Sequence, residues 1–456
     1  MTVATTARPQ PGPPRAYHFP SFERDKLANG VQLVVAPVHK LPLVTVVAVL
    51  EAGAVSDPAG REGLAQLTAQ LLLEGTARAD AAHLVERLER LGTSVSATAD
   101  WDVATVGMTV VSGRLPAALA LFGEVLREPA FPEREVERLK AERLAELLQL
   151  RTEPRGLADE MFSRFTYAPR SRFALPAGGT EASVAAVMRA DVQRFYAARY
   201  RPGGTTLVVV GDVRAAEVER LTATAFGDWT GGAPERASPS DEPARRARAV
   251  HLVAKADAPQ SELRIGHVGV PRTHPDYFSI VVMNAVLGGL FSSRINLNLR
   301  EAHGYTYGAH SEYDWRRAAG PFVVSTAVRS DVTDAAAREV LREIDRIRAA
   351  DVDASELSLA TSYLDGVFPI RYETTAAIAA ALTNLVIYGL PEDYFDTYRE
   401  RVRAVGAGEV RRAAERHLHP EELQLVVVGD AVAARSPLEA LGSGPVRLYD
   451  AEGNEI

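Results

Sequence analysis

The 456-residue sequence contains no cysteine. That excludes disulfides, a thiolate nucleophile and cysteine-ligated metal, and it fits a reducing compartment. No window approaches the roughly 18 consecutive apolar residues of a membrane span. The first twenty residues, MTVATTARPQPGPPRAYHFP, lack an apolar h-region and read as a Pro-rich disordered tail, not a signal peptide. A formal net charge of -8 argues against a general nucleic-acid binder. There is no G-x-S-x-G elbow and no P-loop pattern. None of the ten histidines falls in an H-x-x-E-H, H-E-x-x-H or H-x-x-x-H pattern. His417 and His419 flank a helix end before Pro420 and read as helix-terminal surface groups.

The remainder has an ordinary globular composition, 46 % hydrophobic and 24 % charged. Segment 22–37 alternates around Asn29-Gly30, a hairpin signal. Segment 63–73 (GLAQLTAQLLL) is apolar at helical spacing, 93–111 reads as two strands, and Pro132 opens a long charged helix. An internal repeat organises the chain. DVQRFYAARYRPGGTTLVVVGD (191–212) matches EVRRAAERHLHPEELQLVVVGD (409–430) without a gap. Asp191 pairs with Glu409, Pro202 with Pro420 and Gly211 with Gly429, one step throughout (409 − 191 = 429 − 211). The chain is therefore two copies of one helix-and-strand unit. The Gly, Pro, Ser and charged stretch 230–249 marks an exposed linker. The divisions expected are a disordered tail (1–19), an N-terminal domain (20–232), a linker (233–247) and a C-terminal domain (248–456). Strands and helices without strict alternation indicate α+β halves with mainly antiparallel sheets.

The stretch GGLFSSRINLNLREAHGYTY, from Gly288 to Tyr307, holds the chemistry. Gly288, Gly289, Ser292 and Ser293 form a loop that can bring backbone close to another chain or a peptide. A short helix follows over 293–301, although Ile295, Leu297 and Leu299 fit helical spacing only loosely. Arg300 closes it, and Tyr307 lies beyond a turn at Gly304. A guanidinium fork and a phenol brought together are donors suited to a carbonyl oxygen gaining charge. The alternative is a solvent-facing helix-end arginine and an ordinary strand tyrosine.

Four segments resemble the pitrilysin or insulinase family of zinc peptidases, which includes the mitochondrial processing peptidases. They are DPAGREGLAQLTAQLLLEGT (57–76), YRPGGTTLVVVGD (200–212), LGGLFSSRINLNLREAHGYTY (287–307) and YGLPEDYFDTY (388–398). The resemblance runs over about residues 20 to 435. It implies two homologous halves of the LuxS and processing-peptidase type of metallohydrolase fold, closing around a peptide chamber.

Active members carry H-x-x-E-H on the helix that starts the first half. Residues four apart share a helix face, so two imidazoles grip one ion and the glutamate acts as base. The matching positions here are Gln66, Ala69 and Gln70, and the third-ligand position is Glu146. A glutamine amide is a poor zinc ligand and alanine is no base. The resemblance assigns Arg300 and Tyr307 to the pair that reaches across the chamber, with Tyr305 a rival for the phenol. It implies a zinc-free subunit without a cofactor of its own, and the lack of cysteine and of a signal peptide leads us to expect a cytoplasmic chain. A homologous partner would hold zinc in a heterodimer, and substrates would be peptides or unfolded segments extended along a sheet edge. The alternative is a non-catalytic scaffold similar to the core subunits of the respiratory bc1 complex.

Overall fold

Apolar strand runs and turn glycines build two six-stranded sheets. The structure, a computed structural model, describes residues 16–256 and 258–456. In chain order the strands are β1 (Glu23–Lys26), β2 (Gln32–Pro37), β3 (Leu43–Leu50), β4 (Gly75–Thr76), β5 (Ala79–Asp80), β6 (Val95–Ala99) and β7 (Ala104–Val111). They continue with β8 (Thr205–Gly211), β9 (Ala249–Ala254), β10 (Gln260–Val268), β11 (Ala309–Tyr313), β12 (Pro321–Arg329), β13 (Gln424–Gly429) and β14 (Val446–Tyr449). β4 and β5 form a small ribbon of their own.

The first sheet runs β1-β2-β8-β3-β7-β6 and the second β14-β9-β13-β10-β12-β11. The orders correspond strand for strand. β8 and β13, the two LVVVG copies, are buried along their whole length, as continuous apolar runs should be. Each is parallel to one neighbour and antiparallel to the other. Each follows a helix, Arg189–Arg199 or Ala407–His417, and a 3-10 turn opened by Pro202 or Pro420. The halves differ at the outer edge. β1 is supplied from before β2 and pairs with it antiparallel, through a turn where Gly30 takes φ 98°, whereas β14 arrives from the C-terminus and lies parallel to β9.

The halves also exchange helices. Helix Pro154–Thr166 of the first half packs on β13 and β10 of the second sheet. Its buried Leu157, Met161, Phe162 and Phe165 cluster with Val253, Val323, Val426 and Val428. Burying four such side chains contributes at most on the order of 10 kcal/mol. In return, helix Thr375–Tyr388 of the second half covers β3 and β8 of the first sheet. Thr374 caps its start, accepting from Ala377 N at 3.1 Å, and Gly389 ends it in the left-handed region at φ 60°. Glu51, directly after β3 of the first half, adds a bidentate ion pair, 2.6 and 2.8 Å, to Arg317 of the second.

The linker region 233–247 is exposed over most of its length but tied to both halves. Ala168 N donates to Glu242 O, Ala319 N to Asp241 Oδ2, and Arg236 pairs with Glu51. Residues 1–15 of the expected tail lie outside the described residues. Packing begins ahead of residue 20, because two aromatics anchor the chain there. Tyr17 Oη donates to Tyr372 O at 3.2 Å, and Phe19 stacks on Phe395 with ring centroids 4.2 Å apart. One helical run, Tyr277–Ala302, is long and apolar enough to cross a membrane by composition, where the sequence reading expected none. It is interrupted over residues 290–293, so Gly288 and Gly289, expected in a loop, instead end a helical turn, and its Ile280, Met283, Leu287 and Leu299 fill the second core.

Two predictions follow from the exchange. A protease nick in the linker is expected to leave both fragments eluting together on native gel filtration. Separation into two free fragments would show that the exchanged helices do not hold the halves. The second concerns His251 on β9, which is fully buried and stacked on Phe165 of the exchanged helix at 4.2 Å. Burial pushes its pKa down to about 4, and that of buried His267 to about 3. Between the ordinary histidine value and these, the unfolded chain binds protons that the folded one refuses. Stability is therefore full above about pH 6.5 and lost as pH falls, by about 2 kcal/mol per histidine on reaching pH 5. Unfolding midpoints at pH 7.5 and 5 measure this, and His251→Gln should shrink the difference.

Candidate functional site

The helix that carries the zinc motif elsewhere forms here as Leu64–Leu71. Its start is fixed without reference to metal. The Asp57 carboxylate accepts from Gly63 N and Ala65 N, both at 2.8 Å, and pairs with Arg172 at 3.0 Å. On this helix Gln66 Nε2 donates to Ala99 O at 3.2 Å, Ala69 is fully buried, and Gln70 is exposed. Glu146 is paired within its own helix. Its side chain is 61 % exposed and pairs with Arg143 at 3.0 Å. Arg143 also donates to Gly178 O at 3.0 Å. A Cβ on Gly178 would lie 2.3 Å from Arg143 Nη2 and 2.6 Å from Gln66 Oε1, so a guanidinium flanks the first ligand position. Two amides, a methyl group and an outward carboxylate beside a fixed cation do not fit a divalent zinc ion.

The second region is built on two π-helical turns, Ala285–Gly289 and Leu297–Ala302. Such turns are rare and cluster at functional sites. The wide turn explains why the apolar spacing fits a helix loosely, since Ile295 and Leu299 are buried while Leu297 is exposed. The expected helix over 293–301 is therefore a short α-turn, Arg294–Asn296, continued by π-helix. Gly288 is required by close approach, but to this chain's own strand: a Cβ there would meet Ser311 Oγ at 2.4 Å. Asn284 Nδ2 donates to Ser311 O at 2.9 Å, and Asn296 Oδ1 accepts from Ala309 N at 3.0 Å. These amides seal the outer edge of β11.

A cavity of about 460 Å³ opens on this scaffold, lined by Gly288, Gly289, Phe291, Tyr307 and His310 among others. Tyr307 is 95 % exposed. Arg300 stacks its guanidinium on the Phe291 ring, 4.6 Å from the centroid, and its nearest ionic neighbour among the described residues is Glu301 at 3.5 Å. Phe291 itself is 72 % exposed. Arg300 thus lies on Phe291, Tyr307 lines the same cavity as Phe291, and both side chains are accessible to solvent. Tyr305 does not compete for this position, because its ring is partly buried against the core and stacks on His303 at 4.9 Å. Ser292 is exposed, whereas Ser293, read from the sequence as a peptide contact, is buried where its carbonyl accepts from Leu297 N. Sequence reading missed Phe291 and Arg143. An exposed aromatic in a Gly- and Ser-rich loop was a signal for the first; nothing local marked the second.

His417 is another correction. It is buried, and its Nε2 lies 2.8 Å from Asp276 Oδ2. Candidate ligand atoms of His274, Asp276 and His417 all lie within 4.8 Å of one another, a grouping no sequence motif announces. Arg416 also pairs with Asp276 at 3.3 Å, so the carboxylate is already neutralised by side chains.

Two family models cover these regions: Insulinase (Peptidase family M16) over residues 34–172, and Peptidase M16 inactive domain over residues 186–364. The chain belongs to the insulinase family of peptidases. Among curated family members it is 21 % identical to an uncharacterized zinc protease of Streptomyces coelicolor, covering 86 % of each chain. It is 22 % identical to a non-peptidase homolog of Helicobacter pylori, over 86 % of this chain and 90 % of that one. The probable mitochondrial-processing peptidase subunit beta of Arabidopsis thaliana is 21 % identical, over 88 % and 77 %. A crystal structure of a peptidase M16 inactive domain from Pseudomonas fluorescens superposes with a TM-score of 0.84 at 25 % identity, over 90 % of this chain and 98 % of that one. The fold expected from the sequence is thereby established, and the lost motif places the chain with the inactive insulinase-family homologues.

The chain purified alone is expected to contain far less than one zinc per molecule by elemental analysis. A full equivalent abolished by Glu146→Ala would overturn the reading of the degenerate helix. One abolished by His417→Ala would instead place the ion on the His274, Asp276 and His417 group.

Proposed function

We propose that this chain is the zinc-free subunit of a two-chain peptidase, whose homologous partner carries an intact H-x-x-E-H. The observation that carries this reading is the contrast between the two sites. The metal helix is kept as structure and stripped of ligands, while Arg300 on the second π-turn and Tyr307 in the loop before β11 stay accessible.

The partner's zinc would supply Lewis-acid polarisation of the scissile carbonyl. Arg300 contributes a fork of N–H donors and stays protonated, so it can hold a substrate carbonyl in line and bear developing negative charge. Phe291 beneath the guanidinium fixes its plane. Tyr307 donates one hydrogen bond at neutral pH. For an extended peptide the available sheet edge is β6, where Ala99 O is held by Gln66, because Asn284 and Asn296 close β11. The absence of cysteine supports a reducing, cytoplasmic setting. The scaffold alternative draws its support from the Helicobacter relative named a non-peptidase homolog.

Turnover of the assembled two-chain complex separates these readings. Arg300→Ala or Tyr307→Phe should leave assembly and zinc content unchanged and lower turnover by ~10²–10³, about 3 kcal/mol each. Tyr305→Phe should do much less, and Arg300→Lys should rescue incompletely, since a point charge does not replace the fork. Unchanged turnover per assembled complex in both variants would leave the scaffold role.

A further inference from the structure

Between the exchanged helices lies a larger cavity of about 900 Å³. Helix Thr375–Tyr388 faces it with Ala377, Ala380 and Ala381, and helix Pro154–Thr166 with Asp159, Phe162 and Ser163. Interiors pack at crystal density, so alanines facing open space mark a volume held open. In its wall is Arg272, only 8 % exposed. Its guanidinium sits 3.6 Å from the Tyr277 ring centroid, 5.1 Å from Tyr394 and 5.7 Å from Tyr388.

Arg272 is the unexplained charge of the molecule's interior. A guanidinium carries five N–H donors, and among the described residues its side chain makes one hydrogen bond, from Nη2 to Tyr394 Oη at 2.6 Å. No carboxylate pairs with it among the described residues. Buried charges are as a rule paired, and the tyrosine faces compensate only part of the lost hydration. The acids that line the same cavity are already engaged or open to solvent. Asp159 pairs with Arg264, Asp314 with Arg316, and Glu312 is exposed. A second arginine without a carboxylate partner, the exposed Arg371, lines the cavity too. Trp315 supplies an apolar wall.

We propose that this cavity binds a carboxylate borne on an apolar or aromatic group, with Arg272 as its counter-charge, and that the natural source is the C-terminal residue of a peptide held between the halves. The carboxylate supplies the anion that the burial of Arg272 requires and accepts its free donors in a bidentate pair. The tyrosines and Trp315 cover the terminal side chain, and the alanine floor sets the room for it. The choice of a peptide end rests on the peptide-handling role proposed above; the carboxylate site itself does not.

The test uses the full chain without a partner, so it is independent of turnover. Calorimetric titration compares N-acetyl-L-phenylalanine with N-acetyl-L-phenylalaninamide. The acid should bind at least about tenfold more tightly than the amide, about 1.4 kcal/mol. Arg272→Gln should abolish the difference, and Arg371→Gln, at an exposed position, should reduce it without disturbing the fold. A decapeptide with a free C-terminus should then outcompete its C-amidated form, and an amidated decapeptide with an internal glutamate should bind no better than the amidated control. Equal affinity for acid and amide on the wild-type chain, or no saturable binding of the acid in the millimolar range, overturns the proposal. Binding of free acid and of internal glutamate alike assigns the site to carboxylates at large and overturns the peptide-end source.

Discussion

The structure depends on one constraint: each sheet has a face that its own half leaves uncovered. A six-stranded sheet of valine and leucine needs both faces dry when its central strand is apolar throughout. Here β8 and β13 are such strands. The missing cover comes in each case from the opposite half, as helix Pro154–Thr166 on one sheet and helix Thr375–Tyr388 on the other. The halves are therefore not beads on a linker. Their cores run into one another, and Val34, Val208 and Val210 of the first sheet belong to the same buried cluster as the second half's interior. Relative movement of the halves is opposed by apolar burial at both crossings and by the Glu51–Arg317 pair.

That constraint shapes the surfaces available for chemistry. With the inner faces closed by helices, what remains open is an edge strand, the rim carrying Arg300 and Tyr307, and the space the two crossing helices leave between them. The rim is rigid for local reasons. Gly288 lets a π-turn lie against Ser311, and Asn284 and Asn296 satisfy backbone groups of β11 that an edge strand otherwise exposes. A sealed edge lowers the hazard of unwanted strand pairing, while Tyr307, just ahead of β11, stands freely exposed.

The repeat made the paired halves legible, because helix, proline turn and VVVGD strand recur in register and a period-two strand cannot slip without turning its side chains over. Asn29-Gly30 announced its hairpin for a similar local reason. The exchange of helices was not legible. An amphipathic helix records that it has an apolar face, not which sheet that face meets. The burial of His417 was hidden for the same cause, since its partner Asp276 is distant in sequence. At the candidate site, the seven-residue spacing singled out Arg300 and Tyr307 for the role proposed above. It could not reveal that Phe291 lies under the guanidinium, nor that Ser293 turns inward. Arg272 drew no notice because a lone arginine in a loop is unremarkable until its burial is known.

The degenerate zinc helix shows how far a catalytic element can drift while its architecture stays put. The cap that Asp57 and Arg172 place on the helix start involves no motif residue, so losing the ligands left the fold unpenalised there. Reversal is harder than loss. Ala69 is fully buried, and a glutamate in its place must displace neighbours and be desolvated without a metal to charge against. Arg143 meanwhile holds Gly178 O and pairs with Glu146, so a histidine at 66 would stand beside a fixed cation that already engages the third-ligand carboxylate. Two electrostatic changes therefore reinforce each other. Removing the ion's ligands made a nearby guanidinium tolerable, and that guanidinium now disfavours the ion.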